Sequence, residues 1–223
     1  MPLGSAIVLG VGPGIGAAVA KKWAAEGYKV ACVCRNAEKA ERIATEVGRG
    51  AVGFSCDVTD EAALKSTLAK IETALGPADF LCYNAGSGCF KKPFEITAAE
   101  FELGWRSNCA GLLIAAQAIG PGMVARGAGT IAVTGATASM RGKPFTTGFA
   151  SAKMAQRGLA QSLARDMGPK GVHVFLAIID GGVGDGEQKI APSDIAQTYW
   201  DVAKQGKSCW THEIDVRPFN ENW

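Results

Sequence analysis

The stretch that most constrains this chain is Leu9-Gly10-Val11-Gly12-Pro13-Gly14-Ile15-Gly16. Before it stands Ala6-Ile7-Val8-Leu9, a short apolar run with strand character. After it, Ala17 to Gly27 reads as a helix, with strong helix formers, apolar residues at helical spacing and a terminal Gly able to cap it. The glycines therefore sit on a strand-to-helix turn. A side chain there would hold the backbone away from an anion, and Gly removes it. The helix start beyond carries free N–H groups and partial positive charge, which suits a pyrophosphate. The other reading of the same residues is a structural turn without a ligand.

The rest of the chain repeats the alternation. Strands are expected at Tyr28–Cys34, Ala51–Cys56, Ala78–Tyr83, Thr130–Thr134, Val172–Ile179 and Thr211–Val216. Helices are expected at Ala37–Val47, from N-caps at Asp57 or Thr59-Asp60 through Leu75, from Thr97 to about Ala125 with a break near Ser107, at Thr147–Met167 and at Pro192–Lys204. Strands alternating with helices of ten or more residues imply an α/β fold, a doubly wound parallel sheet of about seven strands with helices on both faces. One dinucleotide-binding domain over residues 1–223 is expected. Ligands of such sheets sit at the carboxyl ends of the strands. Those ends gather the unusual residues: Gly10–Gly16, Cys34–Asn36, Asp57, Asn84–Gly86, Gly135–Ser139 and Asp180–Gly184.

Composition excludes several classes. A net charge of +2 gives no footprint for nucleic acid or an anionic membrane. The apolar run Ala110–Ile119 is broken by Gly120-Pro121 and is short for a bilayer span. Met1–Ser5 has no basic region, so no secretory leader is expected. The seven cysteines include no Cys-x-x-Cys pair and several lie in strand runs, as expected of buried reduced thiols in a cytoplasmic protein without a metal site.

Ordered motifs along nearly the whole chain carry a family resemblance. They are the Gly10/Gly14/Gly16 turn, Cys56-Asp57-Val58-Thr59-Asp60, Tyr83-Asn84-Ala85-Gly86, Asn108 in Asn-Cys-Ala-Gly, and Ala152-Lys153. Together they resemble a short-chain dehydrogenase/reductase of the classical type. The resemblance implies a pyrophosphate turn at Gly10, Gly12, Gly14, Ile15 and Gly16, an adenine contact at Asp57 and Val58, and a supporting loop at Asn84, Ala85 and Gly86. It implies further cofactor contacts at Arg35, Asn36, Lys153, Gly181 and Val183. For Asn84 a purely structural role stands beside the functional one. At the end of the second strand, an acidic residue would bind the ribose 2′-hydroxyl of NAD. Cys34 stands there, followed by Arg35-Asn36 and, a turn later, Lys39. Guanidinium forks match phosphate geometry, so NADP is expected over NAD. Pro13 runs against this, because NADP-preferring relatives often carry a basic residue at its position.

The resemblance breaks at the catalytic groups. The family pattern Tyr-x-x-x-Lys becomes Phe149-x-x-x-Lys153, and the family Ser, thirteen positions before that Tyr, becomes Ala136. Asn108 and Lys153 remain, although Asn108 has an alternative as a helix-kink bond alone. Ser139 is the best substitute hydroxyl, with Thr137, Thr146 and Thr147 behind it. Asp180 is a substitute acid or base, or else a turn residue bonding its own backbone. His173 and His212 read as core or surface residues. Three functions stay open: hydride transfer from NADPH to a small molecule with a non-standard proton donor; a catalytically inactive NADP-binding sensor or scaffold; and a lyase or isomerase on the same scaffold. Between Val183 and Pro192 little chain remains for a substrate lid, which leaves the C-terminal tail or a neighbouring subunit to close the site. The helices around Ala110–Ala125 and Phe149–Met167 are apolar on more than one face, and the resemblance implies a homodimer or homotetramer.

Overall fold

The computed structural model describes residues 4–221; Met1-Pro2-Leu3, part of the stretch behind the leader expectation, lies outside them. Strands β1 (Ser5–Leu9), β2 (Lys29–Cys34), β3 (Val52–Ser55), β4 (Ala78–Tyr83), β5 (Gly129–Thr134) and β6 (Val172–Ile179) join a late strand, Glu213–Val216, in one parallel sheet. Two short strands, β7 (Gly182–Val183) and β8 (Lys189–Ile190), form a separate ribbon, so the late strand is β9. The sheet order is β3-β2-β1-β4-β5-β6-β9. The chain winds outward from β1 in both directions. A crevice therefore opens between β1 and β4, beyond their carboxyl ends.

Both faces of the sheet are covered, and the strands read as continuous apolar runs for that reason. Helices α1 (Ile15–Ala25), α2 (Ala37–Val47) and α7 (Pro192–Ala203) bury Trp23, Ile43 and Tyr199 against one face. Helices α3 (Glu61–Leu75), α5 (Gly111–Arg126) and α6 (Thr147–Met167) bury Leu68, Leu112 and Ala160 against the other. The remaining helix, α4 (Ala98–Trp105), runs through a π-helical turn, Arg106–Ala110, directly into α5.

The expected elements form with small differences. Helix α1 begins at Ile15, so the last glycine of the motif is already helical. Asp60, not Asp57, caps α3 by accepting from Ala63 N; Asp57 instead folds onto Thr59, accepting from both its N–H and its hydroxyl. Asn36 caps α2 and Thr97 forms a capping box with Glu100. Strand β9 begins at Glu213, two residues later than expected; the His212 ring before it lies 3.2 Å from Val174 O. The break expected near Ser107 is the π turn. The helical run Ala98–Arg126 is long and apolar enough to cross a membrane by length and composition, unlike the shorter sequence run; half of its apolar window is buried within the fold.

Candidate functional site

A cavity of about 410 Å³ lies at the β1/β4 crevice. Its walls come from the glycine turn, Cys34–Asn36 and Lys39, Asp57–Thr59, and Asn84–Ser87. The four glycines are there for two different reasons. Gly10 has φ +92°, and a Cβ on it would run into the backbone of Asn84 and Ala85. A Cβ on Gly16 would lie 2.8 Å from Gly10 O. These two let β1, β4 and α1 approach. At Gly12 a Cβ meets nothing within 4 Å, and at Gly14 only Val183 Cγ1 at 4.0 Å. These two keep the space above the turn open. Helix α1 begins its own bonding with Ala17 N to Gly12 O and Ala18 N to Gly14 O. The amides of Ile15 and Gly16 precede those donors and point out of the helix end. An open space with helix-end amides beside it thus lies over Gly12 and Gly14, with Val183 from β7 next to Gly14. Gly181 is exposed, and a Cβ there would press on Pro218 of the C-terminal tail. The tail, rather than a long lid, packs beside this end of the sheet.

At the mouth of the cavity, Arg35 is exposed and Lys39 half-buried. Asn36 is occupied in capping α2, its Oδ1 2.7 Å from Lys39 N, so its contribution is to place the Arg35–Lys39 turn. Cys34 Sγ, 3.3 Å from Asn36 O, adds no charge there. Across the mouth, the Asp57 carboxyl is held below its usual range, chiefly by the Thr59 N–H and also by the nearby Arg35 guanidinium. Val58 beside it is buried. The rim therefore carries two cations on one side and one fixed carboxylate on the other.

The floor is held by two asparagines. Asn84 Nδ2 donates to Gly10 O at 2.8 Å, tying β4 to the glycine turn. Asn108 sits in the π turn with its amide donating to Ser87 O and Gly104 O, both at 2.9 Å. Among the described residues its buried Oδ1 has no partner, and it lies beside Gly86, where any side chain would collide with it. The widened turn frees carbonyls that other side chains take up. Tyr83 donates to Ser107 O at 2.7 Å, and Gln156 Nε2 donates to Asn108 O at 2.9 Å.

Gln156 also holds Lys153. Lys153 Nζ donates to Gln156 Oε1 at 3.0 Å and to Thr134 O, at the end of β5, at 2.8 Å. Burial brings the Lys153 pKa down to about 7. Phe149 lies one turn before it, with Nζ 5.9 Å from the ring centroid. The Phe149 ring meets Phe90 at 5.3 Å between centroids. Neither Phe149 nor the half-buried Ala136 brings a hydroxyl near Lys153.

The substitute groups are locally engaged. Ser139 Oγ donates to Ala136 O at 2.7 Å, Thr146 Oγ1 to Lys143 O at 3.0 Å, and Thr147 Oγ1 to Pro144 O at 3.3 Å. Thr137 Oγ1 donates to the buried Asp180 carboxylate, whose other oxygen faces Arg217 Nε at 3.6 Å. The three tyrosines are committed elsewhere too: Tyr28 to Lys204, Tyr83 to Ser107 O, and Tyr199, fully buried on α7, to Thr134 Oγ1 at 2.9 Å. His173 stacks on Trp210 and bonds Thr211 O, away from the cleft. Among the described residues no group of three metal-ligating side chains forms, and every cysteine is free. The residues that sequence reasoning missed are Gln156 and the Thr134 carbonyl. The available signal was a lone amide three residues after Lys153, on the helix face that also buries Ala152 and Ala160.

Known proteins are similar to this chain in sequence and fold. The chain is 31% identical over 172 residues to D-threitol dehydrogenase of Mycolicibacterium smegmatis, a match covering 76% of this chain and 66% of that protein. A crystal structure of a short-chain dehydrogenase from Rhodopseudomonas palustris superposes with a TM-score of 0.87 at 35% identity, covering 96% of this chain and 98% of that one. A metagenomic short-chain oxidoreductase crystallised in complex with NADP gives a TM-score of 0.87 at 26% identity, covering 98% and 99%. The family model for short chain dehydrogenases matches residues 5–184. With that match running from β1 through β7, the chain belongs to the short chain dehydrogenase family.

Proposed function

We infer that this protein is an oxidoreductase that uses NADPH to reduce a small molecule whose double bond needs little help with protonation, such as an imine, an activated alkene or an electron-poor carbonyl. The observation that carries this reading is the cleft itself. It has an open glycine turn at a helix N-terminus and two cations at the rim where β2 ends in Cys34, and Lys153 is held at the end of β5. The protein residues fit the cofactor: Gly12, Gly14, Ile15 and Gly16 for the pyrophosphate, Arg35 and Lys39 for a 2′-phosphate, Asp57 and Val58 for the adenine. Gly86, Gly181 and Val183 flank the path. A reduced nicotinamide bound there supplies hydride. A structure of a family relative in complex with NADP supports the choice of cofactor.

Lys153 and Asn108 are the functional groups this reading assigns to the reacting end. Phe149 and Ala136 replace the family's proton donor and oxygen-holding hydroxyl, which excludes fast turnover of ordinary ketones. General acid–base groups contribute about 10²–10⁴ in rate and an oxyanion donor about 10²–10³. Ser139 donates its hydroxyl hydrogen bond to Ala136 O, so it serves only by turning its hydroxyl away from that bond. Four free internal thiols among buried residues support a reducing, cytoplasmic setting, and the exposed Leu113 and Met154 on α5 and α6 support a homodimer or homotetramer through those helices.

The paired loss of hydroxyls favours one second reading, an NADP-binding protein that does not turn over. The variant Phe149→Tyr with Ala136→Ser decides between them. Under the first reading it gains ketone reduction by about a hundredfold or more, measured as NADPH consumption. Under the second it binds NADPH and stays inert.

A further inference from the structure

Lys153 ends in a clamp of unusual completeness. Its Nζ has two hydrogen-bond acceptors, Thr134 O at 2.8 Å and Gln156 Oε1 at 3.0 Å. Both acceptors are fixed. Thr134 is the last residue of β5, and Gln156 is anchored through Nε2 to Asn108 O in the π turn at 2.9 Å. Gln156 and Asn108 are fully buried and Lys153 is 6% exposed. A lysine ammonium has three N–H bonds, and a neutral amine has two and a lone pair. Two N–H bonds are therefore held by the clamp in either state. The third tetrahedral position alone gains or loses the proton. Such a nitrogen has one exchangeable site with a fixed direction, as a proton donor requires.

We propose that Lys153 itself delivers the proton in this protein's reaction, with Gln156 as the positioning residue that reserves one N–H of Lys153 for the substrate. The inference rests on the reductase reading above. The unclamped Nζ–H bond breaks and its electron pair stays on nitrogen. The proton bonds to the substrate oxygen or nitrogen, while the adjacent carbon receives the hydride of NADPH. Lys153 then regains a proton from water. Phe149 and Ala136 carry no hydroxyl to do the same work, and the Ser139 hydroxyl is engaged with Ala136 O.

The surroundings suit that exchange. Burial alone lowers the Lys153 pKa, to about 7, and an acid matched to the working pH is the efficient one. Charged groups on the elements packed against α6 are engaged elsewhere. Glu100 on α4 pairs with Lys91, Glu102 with Arg106, Arg126 on α5 with Asp79, and Asp180 beyond β6 with Thr137 and Arg217. His173 lies at the opposite end of β6 and bonds Thr211 O. The acceptors of Lys153 are a main-chain carbonyl and a neutral amide, so changing that amide changes the acid directly.

The experiment uses the full chain with ¹³C-labelled lysine. Lys153 Cε is assigned by its loss in Lys153→Arg and titrated by NMR in the wild type, Gln156→Glu and Gln156→Met. In parallel, NADPH binding is read by tryptophan fluorescence, and hydride transfer to a trifluoromethyl aryl ketone and to a cyclic imine is followed in single turnover across pH. The expected wild-type midpoint is near 7, with hydride transfer falling as pH rises through it. In Gln156→Glu a carboxylate beside Nζ favours the charged form, so midpoint and rate profile both move upward, by about one unit or more. Gln156→Met lowers the rate at least about tenfold with NADPH affinity kept. The proposal is overturned if Lys153 titrates in the ordinary lysine range, if Gln156→Glu leaves the midpoint in place, or if the rate profile ignores the midpoint. Tight NADPH binding with a midpoint near 7 and no hydride transferred to either probe overturns the reductase reading, and this inference with it.

Discussion

Gly10 and Lys153 show how single residues set the two ends of the cleft. Gly10 is a backbone requirement: at φ +92° with Ala85 packed against it, Gly10→Ala combines a left-handed conformation with a collision. The expected loss is about 1–3 kcal/mol or more in unfolding free energy, with a matching loss of nucleotide binding. Lys153 is an electrostatic requirement. Its folded pKa lies near 7, and the unperturbed value is 10.5. Between those values the unfolded chain holds a proton that the folded chain has released, so stability rises with pH through that window and is flat below it. Denaturant unfolding of wild type against Lys153→Met therefore shows a difference that shifts in the wild type's favour from about pH 7 upward. A difference independent of pH would mean the amine is charged when folded. Arg35 and Lys39 act differently again, as exposed rim charges whose effect falls on the ligand and leaves the fold intact.

At the scale of elements, the π turn between α4 and α5 is what brings the two halves of the site together. Its carbonyls are shared among Tyr83 of β4, Gln156 of α6 and the Asn108 amide, which also reaches Ser87 beyond β4. Asn108→Leu keeps the volume but strands the carbonyls of Ser87 and Gly104. A loss of about 1–3 kcal/mol is expected, with increased hydrogen exchange in the Asn84–Ser87 loop. The sequence announces such features unevenly. The strand–glycine–helix unit is legible because every signal lies within some twenty neighbouring residues, and Asp60 as a cap and Thr97 as a helix start are legible for the same reason. The Gln156 bridge is not, because its partner Asn108 lies 48 residues away in sequence and no local spacing marks the pair. Asp57 misleads as a cap because Thr59 satisfies it first. Ser139 stands out in the sequence as a spare hydroxyl, and only the turn geometry reveals that Ala136 O accepts its hydrogen bond.

For the molecule as a whole, sheet order decides where chemistry can occur. The reversal of winding at β1 gathers the ends of β1, β2 and β4 into one 410 Å³ cavity, and the end of the next strand, β5, holds Lys153 through Thr134 O. The alternation of strands and helices was enough to foresee that sheet; the cofactor roles of individual residues needed the family resemblance; and the proton path needed the three-dimensional hydrogen bonds. The account's central claim is that this cavity is an NADP site whose preference comes from the β2 end. The direct measurement is calorimetric titration of NADPH and NADH into the wild type and into Arg35→Ala with Lys39→Ala. The account predicts tight NADPH binding, weak NADH binding, and an NADPH affinity reduced about 10–100-fold in the double variant with NADH little changed. Equal affinities for both nucleotides, or binding of neither, would contradict it.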